Sequence, residues 1–164
     1  MRQGKLLMFM MLFLISATYI SCGTLGGLGD DICFPTSMEK LENAIDTLHS
    51  RHPEYKIPQK WKGLNDWSRK GYYDFLVGRI FYFRSPPEEM YYVTFIGDDS
   101  ATFADTTKIC IGIRSVFRES TYKWAVDDNL TAKEKERIVG RFDREIVAKL
   151  EQYTKTKATK ESSY

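Results

Sequence analysis

Two helix-start signals bracket the middle of the chain and set its outline. Thr36-Ser37-Met38-Glu39 has the form of a capping box with Pro35 just outside it, and Thr131-Ala132-Lys133-Glu134 is a second. After the first, Met38, Leu41, Ile45 and Leu48 recur at helical spacing, which predicts a helix over 37–50, ended by Pro53. After the second, Ile138, Val139, Phe142, Ile146, Leu150 and Tyr153 make one apolar stripe on a helix reaching about residue 152. A chain bracketed in this way must place its remaining apolar residues against both stripes.

What lies between the two helices reads as strand. Residues 72–84 (YYDFLVGRIFYFR) are rich in aromatic and β-branched side chains and apolar on both faces, with Gly78 as a position for a bulge. That pattern predicts a central strand, or one covered by helices on one face and by a loop or partner on the other. Residues 90–96 return after the turn at Ser85-Pro86-Pro87, and 107–118 alternate with Ile109, Ile111 and Ile113 on one face. A fourth strand is expected at 121–126. Residues 101–103 extend the second strand or form a short one of their own. The expected fold class is α+β: helix, antiparallel meander of three to four strands, helix, in a two-layer sandwich with both helices on one sheet face.

Ahead of this domain stands MRQGKLLMFMMLFLISATYISCG. Arg2 and Lys5 form a positive n-region, 6–15 an apolar core, and Ser16, Ala17 and Thr18 a small-residue approach to a cut site. As a helix, 6–20 would reach only about 22 Å, short of the ~30 Å hydrocarbon layer, so a removed signal peptide is expected rather than a membrane span. Tyr19-Ile20-Ser21-Cys22 resembles the lipobox of bacterial lipoprotein precursors, with Tyr19 where that pattern prefers Leu. The resemblance covers only the leader, about an eighth of the chain. It implies cleavage before Cys22, a thioether-linked diacylglyceryl group on its sulfur, and acylation of the new amino terminus. Ordinary cleavage after Gly23, giving a secreted protein, is the competing reading. The chain then divides into a signal peptide at 1–21, a lipidated Cys22 with a glycine-rich flexible tether through 30, a single domain at 31–153, and a polar disordered tail at 154–164.

Charge and cysteine content narrow the partners. The formal net charge of +2 disappears with Arg2 and Lys5, leaving 22 basic residues against 22 acidic ones. A near-neutral exported chain gives no reason to expect a nucleic-acid partner. Three cysteines are an odd number for an oxidising compartment. With Cys22 set aside for lipid, Cys33 and Cys110 remain as a candidate disulfide, against two separate buried thiols.

The residues that carry chemistry are few. Trp61, Trp67, Tyr72 and Tyr73 lie in or beside an irregular stretch interleaved with lysines and arginines, and are the candidate binding surface; the alternative is that both tryptophans cover a core edge. His49 and His52 sit three apart at a helix end without a third metal ligand nearby, and imidazoles there also suit the helix dipole. Asp98-Asp99 and Asp127-Asp128 fall at element ends as turn residues. No nucleophile elbow, phosphate-binding glycine loop or zinc-protease motif is present. Asn129-Leu130-Thr131 matches the glycosylation acceptor pattern, which matters only in a eukaryotic host. No catalytic residue, metal or cofactor is assigned. The expected function is a non-enzymatic, membrane-tethered domain of the cell envelope, periplasmic or surface-exposed, binding a protein or envelope component. A glycan-binding module using Trp61 and Trp67, and a secreted enzyme, are the alternatives.

Overall fold

The computed structural model describes residues 27–64, 78–96 and 107–162. Strand β1 (Asp31–Phe34) precedes helix α1 (Met38–Arg51). Two 3₁₀ turns follow, at Pro53–Tyr55 and Gln59–Leu64, then β2 (Gly78–Phe83), β3 (Glu89–Ile96), β4 (Ile109–Arg118) and β5 (Lys123–Ala125). Helix α2 (Ala132–Phe142) runs through a π turn at Asp143–Val147 into α3 (Ala148–Thr154), and β6 (Thr159–Glu161) closes the chain. Among the described residues no helix is long and apolar enough to cross a membrane.

All strand pairs are antiparallel, in the order β2-β3-β4-β1-β6. β3 occupies one edge of β4 along most of its length. β1 pairs with Ile109–Ile111 of the other edge, and β5 with Val116–Arg118 of that same edge. The fold is therefore the α+β sandwich that the pattern predicts, with six strands among the described residues rather than three or four. β1 and β6 are the additions. Four and three residues long, they are too short to show a period, and pairing with a neighbour defines them.

The apolar stripes go where their spacing directs. Leu41, Ile45 and Leu48 of α1, with Ile138, Phe142, Ile146 and Leu150 of the second helical run, pack on Phe81, Phe83, Tyr91, Val93, Ile109, Ile111 and Ile113. Full burial of side chains this size stabilises by roughly 1.5–3 kcal/mol each before chain entropy is counted. A bulge in β4 carries the alternation across its middle: Ile113 faces Val93 and Ser115 faces Tyr92, so Arg114 is the extra residue. Val116 thereby joins the helix-facing core, and Phe117 turns to the opposite face. There Trp61, Ile80, Tyr82, Met90, Tyr92 and Phe117 form a second cluster beneath the Gln59–Leu64 turn. The double-sided apolarity of β2 is thus answered by helices on one face and a loop on the other.

Both helix starts are capped. The Thr131 hydroxyl accepts from the Glu134 amide while the Glu134 carboxylate accepts from the Thr131 amide, at 3.3 and 2.9 Å. At α1 the cap is Ser37, accepting from Lys40 at 3.3 Å, one residue later than the sequence pattern indicates, and Thr36 is buried instead.

Two expected boundaries move. Tether was expected through residue 30, yet Leu28 is only 1% exposed and its amide donates to the Ile113 carbonyl at 2.7 Å. Residues 154–164 were expected as a disordered tail, but Thr154 ends α3 and β6 pairs with β1. Polar β6 side chains gave no strand signal, because all three are exposed. They support the backbone pairing from outside the core, Thr159 donating to the Cys33 carbonyl and Lys160 and Glu161 pairing with Asp143 and Lys108.

Candidate functional site

Cys33 and Cys110 are bonded. They face one another across β1 and β4, with an S–S distance of 2.05 Å and Cα atoms 4.0 Å apart. With the Glu161 carboxylate they form the one group of three metal-capable side chains among the described residues. Both sulfurs are committed to the disulfide, so no thiolate is offered to a metal.

The candidate aromatic surface does not survive for its one placed tryptophan. Trp61 is 2% exposed, with its ring 5.0 Å from Phe117 and 5.5 Å from Tyr82 in edge-on contacts. The Lys60 ammonium lies over it, 4.3 Å from the ring centre. An indole held in this way has no face left to stack on a sugar. Trp67, Tyr72 and Tyr73 lie outside the described residues, as do Asp98, Asp99 and 101–103.

The two histidines do not converge. His49 is half-buried against Phe81, 5.2 Å between ring centres, and burial with the nearby Lys56 holds its imidazole below the ordinary range. His52 Nδ1 lies 3.1 Å from the Glu54 carboxylate on the surface. Neither belongs to a three-ligand group among the described residues.

A cleft of 610 Å³ opens where the Pro53–Tyr55 and Gln59–Leu64 turns meet the end of β2. A second hollow of 460 Å³ adjoins it, sharing Glu54, Tyr82 and Arg84. Pro53, Ile57 and Pro58 supply an apolar wall to the first. On the other side Lys60 donates to Glu88 and Glu119, at 2.7 and 3.1 Å, while the Tyr82 hydroxyl donates a short hydrogen bond to Glu88. The Lys60 and Tyr82 hydrogen bonds hold Glu88 below the usual carboxylate range. Burial and the Glu88 hydrogen bond push Tyr82 up to about 12. At neutral pH Glu88 is therefore ionised and Tyr82 protonated, so this pair offers no group poised to exchange a proton. Among the described residues Arg84 makes no hydrogen bond or ion pair, leaving a guanidinium facing both hollows. The lining is of mixed charge, with Glu54 at both hollows, Glu145 at one, and Lys56 at the other.

Sequence reasoning missed a buried network. Glu89 is 0% exposed and accepts a forked pair from Arg137 at 2.6 and 2.8 Å, plus the Tyr91 hydroxyl at 3.1 Å. Arg141 and Glu145 stand four apart, a spacing that suits an exposed helical pair, yet Arg141 is buried. It keeps that contact at 3.0 Å and also donates to the Ser85 and Pro87 carbonyls, both at 2.8 Å. Lys149 donates to the Glu145 carbonyl at 2.9 Å. The network latches the β2–β3 turn to α2 with its charges matched, which makes it a structural fastening. One signal was available: Glu89 keeps strand parity with Tyr91 and Val93, which face the helices.

Comparisons with protein-family models, curated proteins and solved structures find no match to this chain.

Proposed function

We propose that this chain is a lipoprotein, anchored through Cys22 on the outer side of a membrane, whose domain acts by binding a protein or envelope component. The observation that carries the reading is the Cys33–Cys110 disulfide. Such a bond belongs to an oxidising compartment, and it uses two of three cysteines, leaving Cys22 in its lipobox-like setting. Two or three acyl chains on that residue would hold the domain stably, where one alone is marginal. A binding role is supported by the cleft around Arg84, with its apolar wall of Pro53, Ile57 and Pro58 beside charged Lys56, Lys60 and Glu88.

The test is intact mass of the protein extracted from its native membrane, with thiol alkylation of the same sample. An acylated chain beginning at Cys22 with no alkylated thiol is the expected result. A mature chain beginning at Thr24, or one that takes up alkylating reagent at Cys33 and Cys110, refutes the reading.

A further inference from the structure

The chain enters the sheet on the edge of β4 shared by β1 and β5. Leu28 is fixed beside Ile113, and Ala125 of β5 is paired with Val116 of the same edge. Ile113 and Val116 are three residues apart, about 10 Å along a strand. Because β1 runs antiparallel to β4, the chain going back from Leu28 heads toward β5, and Gly27 already lies beside Arg114. Between Cys22 and Leu28 there are six residue steps, at most about 21 Å fully extended. A lipid-bearing Cys22 therefore keeps the Leu28 end of this edge within about 21 Å of the bilayer surface.

The same edge has the composition that a lipid interface selects. Tyr122 and Val126 are the exposed large apolar side chains among the described residues, at 61% and 44%. Between them lie half-buried Trp124 and exposed Lys123. Tyrosine and tryptophan favour the headgroup level, and lysine reaches from it to water. Tyr122 has φ +53°, a left-handed conformation that suits glycine or asparagine better than an aromatic residue, and one edge of its ring meets Phe117, 5.3 Å between centres, while most of the side chain stays exposed. The neighbouring acids Glu119 and Asp127 are paired with Lys60 and Lys135, at 3.1 and 2.6 Å, and Asp128 is exposed beside them.

We infer that the β5 edge, with Tyr122, Lys123, Trp124 and Val126, is the face that rests on the bilayer to which Cys22 is anchored. The inference depends on the lipid anchor proposed above. It is tested with the acylated, isotope-labelled full chain in bicelles of phosphatidylethanolamine and phosphatidylglycerol carrying a gadolinium-chelating headgroup. Amide signals of 27–28 and 119–126 should broaden most. Lys108, ten residues from Arg118 and about 33 Å away along β4, should broaden least. Tyr122→Gly removes the ring without asking the backbone for a strained conformation and should at least halve the difference in broadening. It also removes the edge contact with Phe117, so the urea midpoint is read alongside to show that the fold is retained. Uniform broadening, strongest broadening at Lys108, or a Tyr122→Gly protein with the wild-type pattern would overturn the face assignment. So would capture of another polypeptide, a second copy included, by a photo-cross-linking residue at position 122 without broadening by lipid. Absence of an acyl group by mass would instead overturn the anchor itself.

Discussion

Gly78 sits where β2 passes beneath the ring of Tyr92. A Cβ there would lie 2.5 Å from the ring, so the residue is glycine because of a close approach; the bulge expected at this position is found at Arg114 instead. Gly140 lies mid-helix, where a glycine suggests close packing, yet among the described residues a methyl there would meet the end of the Arg144 side chain alone, at 3.3 Å. Opposite outcomes follow. Gly78→Ala should destabilise by about 1–3 kcal/mol through overpacking, and Gly140→Ala should stabilise by up to about 1 kcal/mol, both read from urea midpoints. His49 gives a pH effect with a definite sign. Its imidazole is held below the ordinary range in the folded state, so as pH falls below about 6.5 the unfolded chain takes up the proton first. The stability that neutral His49 contributes is complete above that value and is lost progressively toward the lower folded-state value. The urea midpoint should drop between pH 7.5 and 5.5, and His49→Gln should flatten that drop. Glu88, Glu134 and Glu151, also held low by their partners, add losses in the separate window below about pH 4.5.

Elements differ in how much of themselves they show in sequence. α1 and α2 were legible because their apolar spacing and capping residues belong to each segment alone, and Thr131 with Glu134 forms the reciprocal cap that its spacing implies. β2 was legible as a strand apolar on both sides, since Phe81 and Ile80 alternate without a polar break. β1 and β6 were not legible. Asp31 to Phe34 is a strand because Ile109–Ile111 lies opposite, and Thr159–Glu161 because β1 does. Among site residues the disulfide partners were found by counting cysteines, whereas Trp61 could not be placed by composition: a tryptophan amid lysines reads the same whether the ring faces water or Phe117. The latch at the β2–β3 turn was hidden because it joins residues roughly fifty positions apart. Glu89→Ala should cost about 3–5 kcal/mol by leaving Arg137 and Arg141 without their shared carboxylate, as measured by urea denaturation. A loss below 1 kcal/mol would show that the turn is held by the Arg141 contacts to Ser85 and Pro87 alone.

At the scale of the whole molecule, one sheet is closed off differently at its two sides of β4. β3 covers one side continuously, while the other is shared among β1, the strap at 27–30 and β5. The strap is the smallest of these and the first in the chain. It fills the stretch of β4 around Ile113 that neither β1 nor β5 reaches, and Leu28 fills the core beneath it. A protein begun at Asp31, where the sequence alone would start the domain, would lose both. An uncovered run of strand backbone beside an apolar gap is a template on which a second chain can pair. Such a truncated protein should form concentration-dependent oligomers in light scattering, while one begun at Thr24 stays monomeric. Residues 27–30 are thus a cover over strand backbone that would otherwise stand open to a second copy of the chain.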